Sequence, residues 1–261
     1  MRWLQFSVNN KIQSGYLVGE QVHVIQGDFL DEWQDTGETY PLSAVKIEIP
    51  IIPRTFYAAG FNYAIHVAEI AKAMGEKPVL PTSADIGYRA NNALIAHDED
   101  VIIPADATEQ VQYEGEIVMV IGKKVKNVSP SEALDCIFGY TIGNDVSERT
   151  WQKTDRTFFR CKNTDTFKPM GPWIETDFDI DQAITTIRVN GKQEIQFATK
   201  DMIFSFADFL SRASKYITFY PGDVMWMGTE GTSPNLVHND VVEIEISGLG
   251  VLRNRFLKEG Q

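Results

Sequence analysis

The alternation of hydrophobic and polar positions predicts a chain built mainly from short strands. Near the N-terminus, QSGYLV and EQVHVIQG alternate weakly around a Gly-Glu turn, and Pro50 and Pro53 then stiffen the passage into the remaining sequence. Alternation on both sides of a turn is typical of a hairpin. We therefore expect a small N-terminal module over residues 1–50 and a larger body over residues 51–261.

Strand patterns dominate this body. Residues 111–122 (VQYEGEIVMVIG) are apolar and β-branched, and Asn190-Gly191 forms a two-residue hairpin signal inside IRVNGKQEIQ. The stretches YTIGNDV, GDVMWMG, VVEIEIS and VLRNRFL indicate further strands. Because strands and helices do not alternate strictly, the pattern favours a strand-rich α+β fold over a doubly wound one.

Three helices are predicted. Residues 62–74 form a short helix or lid that Gly75 and Pro78 end, and Ser129 with Glu132 forms a capping box for a second helix that ends near Gly139. Residues 201–217 carry apolar side chains at helical spacing, which indicates a helix packed on the core.

The charge and hydropathy of the chain limit the kinds of partner that it can bind. The 261 residues carry 24 Lys and Arg against 36 Asp and Glu, a net charge of -12. Such a surface repels phosphate backbones, so we expect no nucleic-acid partner. No apolar run approaches the ~20 residues that cross a bilayer, and the N-terminus lacks a signal-peptide pattern. We therefore expect a cytoplasmic protein without a membrane partner.

Glu114-Gly115-Glu116 is the first chemically informative motif. On a strand, residues two apart face the same side, with Cα atoms about 6.6 Å apart. Val118 and Val120 continue that face as apolar positions. Burying two unpaired carboxylates is costly, and a hard divalent cation removes that cost. The alternative is a solvated strand end with both glutamates pointing outward.

Four other residues carry weaker signals. Asp145 ends an apolar strand at a position where it either faces a site or simply forms a turn. Lys162 lies in a polar stretch and is either functional or solvated. His66 and Glu69 are spaced i, i+3 on the predicted helix, so the carboxylate can orient the imidazole as a base, although a surface ion pair has the same spacing.

Together these segments resemble the fumarylacetoacetate hydrolase family. The matching stretches are GFNYAIHVAE (60–69), YEGEIVMVIGK (113–123), GYTIGNDVSERTWQ (139–152), KNTDTFKPMGP (162–172) and PGDVMWMGT (221–229). The resemblance implies a mixed β-sandwich roll with a small N-terminal domain, which forms a homodimer. The chain departs from the family at EGTSP (230–234), where the family often has Pro directly after Gly-Thr.

The resemblance also implies roles for individual residues. The metal ligands would be Glu114, Glu116 and Asp145. The active-site lysine would be Lys162. The dyad that activates water on the lid would be His66 and Glu69. Two further residues, Gln152 and Thr229, fall where the family places side chains that contact the substrate.

The chemistry expected from this set is hydrolysis of a carbon–carbon bond in a small 1,3-dicarbonyl or 2-oxo acid, similar to fumarylacetoacetate or an acylpyruvate. All-oxygen ligands favour Mg²⁺, with Mn²⁺ or Ca²⁺ also compatible. Two alternatives stay open. The same site could serve decarboxylation or isomerisation of diacids such as oxaloacetate or 2-hydroxyhepta-2,4-diene-1,7-dioate, or the chain could be a non-catalytic relative that kept the metal site.

Overall fold

The N-terminal residues form an antiparallel meander. The computed structural model describes residues 1–261, apart from the side chains at positions 73 and 74. The first strands are β1 (Arg2–Val8), β2 (Lys11–Val18), β3 (Gln21–Gly27) and β4 (Trp33–Pro41), and the short β5 (Lys46–Ile47) pairs with β1. The hairpin predicted around the Gly-Glu turn is confirmed, because β2 and β3 pair on either side of it.

The body adds fourteen strands to these five. They are β6 (Phe56–Ala59), β7 (Ile86–Tyr88), β8 (Leu94–Ile95), β9 (Val101–Ile103), β10 (Val111–Gln112), β11 (Gly115–Ile121), β12 (Ile137–Asn144), β13 (Ser147–Glu148), β14 (Lys168–Glu175), β15 (Ile184–Val189), β16 (Lys192–Ala198), β17 (Val224–Trp226), β18 (Val241–Ile246) and β19 (Gly250–Lys258). The Asn190-Gly191 hairpin is confirmed: β15 and β16 pair across it, and both turn residues have positive φ.

The helices are short. They are α1 (Ala64–Met74), α2 (Pro130–Ala133), α3 (Arg149–Gln152), α4 (Phe159–Asn163) and α5 (Phe206–Ser214). Gly75 ends α1 in the left-handed conformation, as predicted. The predicted capping box begins α2, but a 3-10 turn replaces the rest of that helix. The helix predicted over 201–217 begins later, because Ser205 caps it at Phe206. None of the helices described here has the length and hydropathy to cross a bilayer.

Two sheets organise the molecule. The larger has the strand order β4-β3-β2-β1-β14-β12-β11-β17-β6-β7, and the second has the order β16-β15-β18-β19-β9. β1 pairs with β14 through Trp3 and Ile174, so the N-terminal strands extend the sheet of the body. The division of the chain at residue 50 stays a prediction.

Strand β11 lies between two hydrophobic clusters of the core, and its successive side chains point alternately into one cluster and the other. One face of this strand contributes Ile117, Met119 and Ile121 to a cluster that also holds side chains of α5 and the second sheet. The opposite face contributes Val118 and Val120 to a second cluster around β17. Because both faces are covered, β11 is buried along its whole length. This layered, strand-rich α+β architecture is the one that the sequence predicts.

We expect Gly143→Ala to destabilise the fold. A Cβ at this position of β12 would lie 2.7 Å from two ring atoms of Trp226. Overpacking of this kind costs about 1–3 kcal/mol of unfolding free energy, measurable by urea denaturation. In a Trp226→Phe background, which removes the outer part of the indole, the added methyl should cost at least ~1 kcal/mol less. An equal cost in both backgrounds would show that the contact is not responsible.

Candidate active site

Three carboxylates meet where β11 and β12 lie side by side. Glu114 directly precedes β11, Glu116 is its second residue, and Asp145 directly follows β12. The strands are antiparallel neighbours, and the N–H of Asp145 donates to the Glu114 carbonyl at 2.8 Å. One carboxylate oxygen from each side chain lies within 4.8 Å of the other two. The three predicted ligands therefore form one group, which we call the carboxylate cluster.

The carboxylate cluster is buried. The exposed fractions of Glu114, Glu116 and Asp145 are 5%, 3% and 1%. A solvated strand end with glutamates pointing outward does not describe this site. Burial of this extent requires that each charge be compensated or neutralised.

Lys162 and Arg149 compensate part of this charge. Lys162, on α4, contacts Glu114 and lies with its Nζ 2.8 Å from Asp145 Oδ2. Arg149, the first residue of α3, lies with Nη1 2.7 Å from Glu114 Oε1. The lysine that the sequence singled out is therefore in direct contact with two of the three carboxylates.

Two further cations contact Asp145. Arg89 donates from Nε to Oδ1 at 3.0 Å and from Nη2 to Oδ2 at 2.8 Å, which is a bidentate contact. Lys168 Nζ lies 2.8 Å from Oδ1 and also donates to the carbonyls of Val146 and Phe167. We call Arg89, Arg149, Lys162 and Lys168 the cationic shell.

The cationic shell sets the protonation of two carboxylates. Burial opposes ionisation of Glu114, but the charges of Lys162 and Arg149 outweigh it and lower the pKa of Glu114 to about 2. Burial likewise opposes ionisation of Asp145, and there Arg89 and Lys162 lead the charges that hold the pKa well below its usual range. Both groups are therefore carboxylate anions at neutral pH.

Glu116 differs from its neighbours. Among the described residues it has no ion pair with a cation, and its Oε2 accepts a hydrogen bond of 2.7 Å from the N–H of Gly228. Burial and the charges of Asp145 and Glu114 raise its pKa to about 8. An all-oxygen donor set with one uncompensated carboxylate suits a hard divalent cation. The residues present thus fit a metal ion.

The cluster lines a cavity of about 210 Å³. The other polar side chains around this cavity are Asn62, His66, Asp85, Arg89, Gln152, Lys162 and Thr229, the last of which lies in the loop after β17. Phe61 and Phe158 line it with aromatic rings that remain partly exposed. The structure therefore brings the predicted His66, Lys162, Gln152 and Thr229 to the same cavity as the predicted metal ligands.

His66 reaches this cavity from α1. Its Nδ1 lies 2.5 Å from the Gly231 carbonyl, so Nδ1–H is the donor and Nε2 keeps the lone pair. Burial lowers the pKa of the imidazole, which favours its neutral form. A neutral imidazole with a free lone pair is suited to accept a proton.

Glu69 does not take the place predicted for it. The i, i+3 spacing puts it on the same helix face as His66, yet the ring turns toward Gly231. One carboxylate oxygen of Glu69 is buried without a hydrogen-bond partner among the described residues. In this structure a loop carbonyl, rather than Glu69, orients the imidazole, and a role for Glu69 stays a prediction.

Gln152 and Thr229 line the cavity from different parts of the chain. Gln152 ends α3, and its Oε1 accepts a hydrogen bond of 2.9 Å from Arg149 Nη1. Thr229 is buried and follows Gly228, whose N–H is bonded to Glu116. Their contact with substrate stays a prediction.

Sequence reasoning missed three members of the cationic shell. Arg149 and Lys168 lie inside the stretches GYTIGNDVSERTWQ and KNTDTFKPMGP, which carry the family resemblance. A basic residue in the same stretch as a predicted site residue was the signal that could have identified them. Arg89 lies between Pro81 and Pro104 in a segment without a recognisable motif. Only the folded chain shows that it reaches Asp145.

Comparison with known proteins identifies the family. The profile described as Fumarylacetoacetate (FAA) hydrolase C-terminal matches residues 55–257, and the profile described as Rv2993c-like, N-terminal matches residues 1–50. The chain belongs to the fumarylacetoacetate hydrolase family, as the sequence motifs predict.

The relatives carry several activities. Oxaloacetate tautomerase YisK from Bacillus subtilis is 32% identical over 228 residues, which cover 83% of this chain and 74% of that protein. A 2-hydroxyhepta-2,4-diene-1,7-dioate isomerase from Mycobacterium marinum has a similar structure, with a TM-score of 0.89, 31% identity and complete coverage of both chains. Maleylpyruvate hydrolase from Sphingobium sp. SYK-6, in complex with manganese (II) ion and pyruvate, has a TM-score of 0.79 and 25% identity, again over both whole chains.

We expect Glu116→Gln to separate metal binding from folding. Glu116 has a raised pKa and must take up a proton when it is buried at neutral pH, whereas Gln needs none, so the metal-free protein should gain about 1–3 kcal/mol of unfolding free energy. Loss of a ligand should weaken Mg²⁺ binding at least ~10-fold by calorimetry.

The matched control is Glu148→Gln. Glu148 is also a buried glutamate, and its carboxylate accepts a hydrogen bond of 2.5 Å from the N–H of Trp151. It should lower stability and leave Mg²⁺ affinity unchanged. Unaltered Mg²⁺ affinity in Glu116→Gln would remove Glu116 from the ligand set.

Proposed function

We propose that this chain is a Mg²⁺-dependent hydrolase that cleaves a carbon–carbon bond in a small acylpyruvate-like 2-oxo acid. The observation that carries the proposal is the neutral His66 in the same cavity as the carboxylate cluster and Lys162. Simple binding of a cation requires neither of these side chains. When bound, the divalent cation would supply positive charge to substrate oxygens and to the enolate that forms.

The proton path begins at His66. Nε2 takes a proton from water, and the water oxygen bonds to the carbonyl carbon distal to the substrate carboxylate. The bond between that carbon and the adjacent methylene breaks, and its electron pair becomes the enolate of the 2-oxo acid. The imidazolium returns its proton to the methylene carbon, which yields one carboxylic acid and one 2-oxo acid.

The cationic shell favours an anionic substrate. Its four positive charges face three carboxylates, of which Glu116 has a raised pKa. Arg89 and Lys162 are the members that also line the cavity, and Lys162 contacts two of the three carboxylates. We propose that its ammonium holds the substrate carboxylate or the developing oxyanion. Phe61 and Phe158 add aromatic surface to the same cavity.

A second candidate follows from the same excess of positive charge. An oxo diacid such as oxaloacetate carries two carboxylates, and the cationic shell suits it equally. Its decarboxylation or tautomerisation needs no attacking water. The relatives named as a tautomerase and an isomerase support this alternative.

A substrate panel tests the proposed reaction. The purified protein is assayed with an acylpyruvate, oxaloacetate and 2-hydroxyhepta-2,4-diene-1,7-dioate, each with Mg²⁺ and with EDTA. We expect acylpyruvate hydrolysis that EDTA abolishes. Turnover of the diacids alone would favour the second candidate, and turnover unaffected by EDTA would contradict both.

We also propose that the protein is a cytoplasmic homodimer. Light scattering at the concentration of the assay tests the number of subunits.

His66→Ala distinguishes the two reactions. Without the base, hydrolysis of the acylpyruvate should fall on the order of 10²–10⁴-fold with saturating Mg²⁺. Decarboxylation of oxaloacetate should persist, because no water has to be deprotonated to attack a carbonyl carbon. Equal losses with both substrates would mean that His66 binds or shields substrate, and no loss with either would remove it from the site.

A further inference from the structure

We propose that Glu230 is a positioning residue that holds the first turn of α1 and thereby fixes the ring of His66. Glu230 lies in the loop after β17, far from α1 in sequence. The proposal rests on the proposed function only for what His66 does in catalysis. The contact itself is a property of the fold.

Helix α1 lacks a cap of its own. Its N-cap residue is Tyr63, which makes no side-chain capping bond, and no acidic residue lies in its first turn. The first N–H groups of a helix have no partner within the helix, so a buried helix start needs acceptors from elsewhere. Tyr63 and His66 are both buried, which makes this requirement strict.

Glu230 supplies the missing acceptor. Its Oε1 accepts the N–H of His66 at 2.9 Å and the N–H of Gly231 at 3.0 Å. The side chain is 7% exposed, so water does not readily replace it. A carboxylate at the N-terminus of an eleven-residue helix also interacts favourably with the helix dipole.

The next residue of the same loop holds the imidazole. The Gly231 carbonyl accepts the Nδ1–H of His66 at 2.5 Å. Gly231 has φ of 71°, and a Cβ there would lie 2.2 Å from Ile195 Cδ1, so the loop packs tightly on β16. Two consecutive residues thus fix the backbone of His66 and the tautomer of its ring.

The chain just before α1 has a separate anchor. Asn62 is buried, and its Nδ2 donates to the carbonyls of Phe204 and Met227 at 3.2 and 2.9 Å. Removal of the Glu230 carboxylate leaves these bonds in place. We therefore expect a local effect on the first turn of α1 and on His66, with the rest of the fold retained.

Glu230→Ala tests the contact without any substrate. Hydrogen exchange of amides in residues 66–72 should accelerate on the order of 5- to 30-fold, the factor expected for loss of a helix cap. Nitrogen-15 NMR of the His66 ring should change from one tautomer to a mixture. The chain has four histidines, so His66→Asn assigns the signal.

Two further variants serve as controls: Glu230→Gln is the conservative change at the same position, and Glu132→Ala removes a capping residue from another helix. Gln keeps an oxygen acceptor, so exchange, tautomer and kcat should stay close to the parent, whereas Ala should lower kcat on the order of 10-fold. Glu132 forms the capping box of α2, outside the cavity, so its loss should leave α1 and kcat unchanged. If Glu230→Ala fails to fold, Glu230→Asp, with a shortened side chain, replaces it with the same expectation.

Two results would overturn the proposal. One is parental exchange and a parental tautomer in Glu230→Ala. The other is a Gln variant as impaired as the Ala variant, because charge rather than position would then matter. Exchange and NMR are read without turnover, so failure of the proposed hydrolase activity would leave this test intact.

Discussion

The organisation of the site depends on the burial of three carboxylates within a few ångströms of one another. Like charges at such distances repel strongly in a protein interior, where screening by water is weak. The chain compensates with cations from four separate places: Arg89 after β7, Arg149 on α3, Lys162 on α4 and Lys168 at the start of β14. These contacts tie the surrounding loops and short helices to the β11–β12 pair.

The positive charges do not compensate the three carboxylates equally. This difference explains how the site can bind a metal. Glu114 and Asp145 each contact cations, whereas Glu116 has only a backbone donor among the side chains and backbone groups that the structure describes. The protein therefore holds two carboxylates permanently ionised and leaves the third in need of positive charge. The three carboxylates lie on or beside strands, while the neutral base His66 lies on a helix that a loop holds in place. Charge and base are thus positioned by separate parts of the fold.

Local sequence patterns predicted local structure well. The turn at Asn190-Gly191 depends on neighbouring residues, and so does the alternation that puts Glu114 and Glu116 beside a buried face. Contacts across long sequence separations were not predictable in this way. Arg89 meets Asp145 across 56 positions, and Gly231 meets the His66 ring across 165. Helical spacing placed Glu69 near His66, but the packing of a distant loop determined which acceptor the ring found.

The most direct test of this account is anomalous diffraction from crystals soaked with Mn²⁺, measured near the manganese edge. We expect one strong anomalous peak enclosed by carboxylate oxygens of Glu114, Glu116 and Asp145, at metal–oxygen distances of about 2.0–2.3 Å for a hard divalent cation. The same peak should disappear in crystals of Glu116→Gln prepared identically. A peak at another place on the chain, or no peak while the three carboxylates keep their contacts with the cationic shell, would contradict the account.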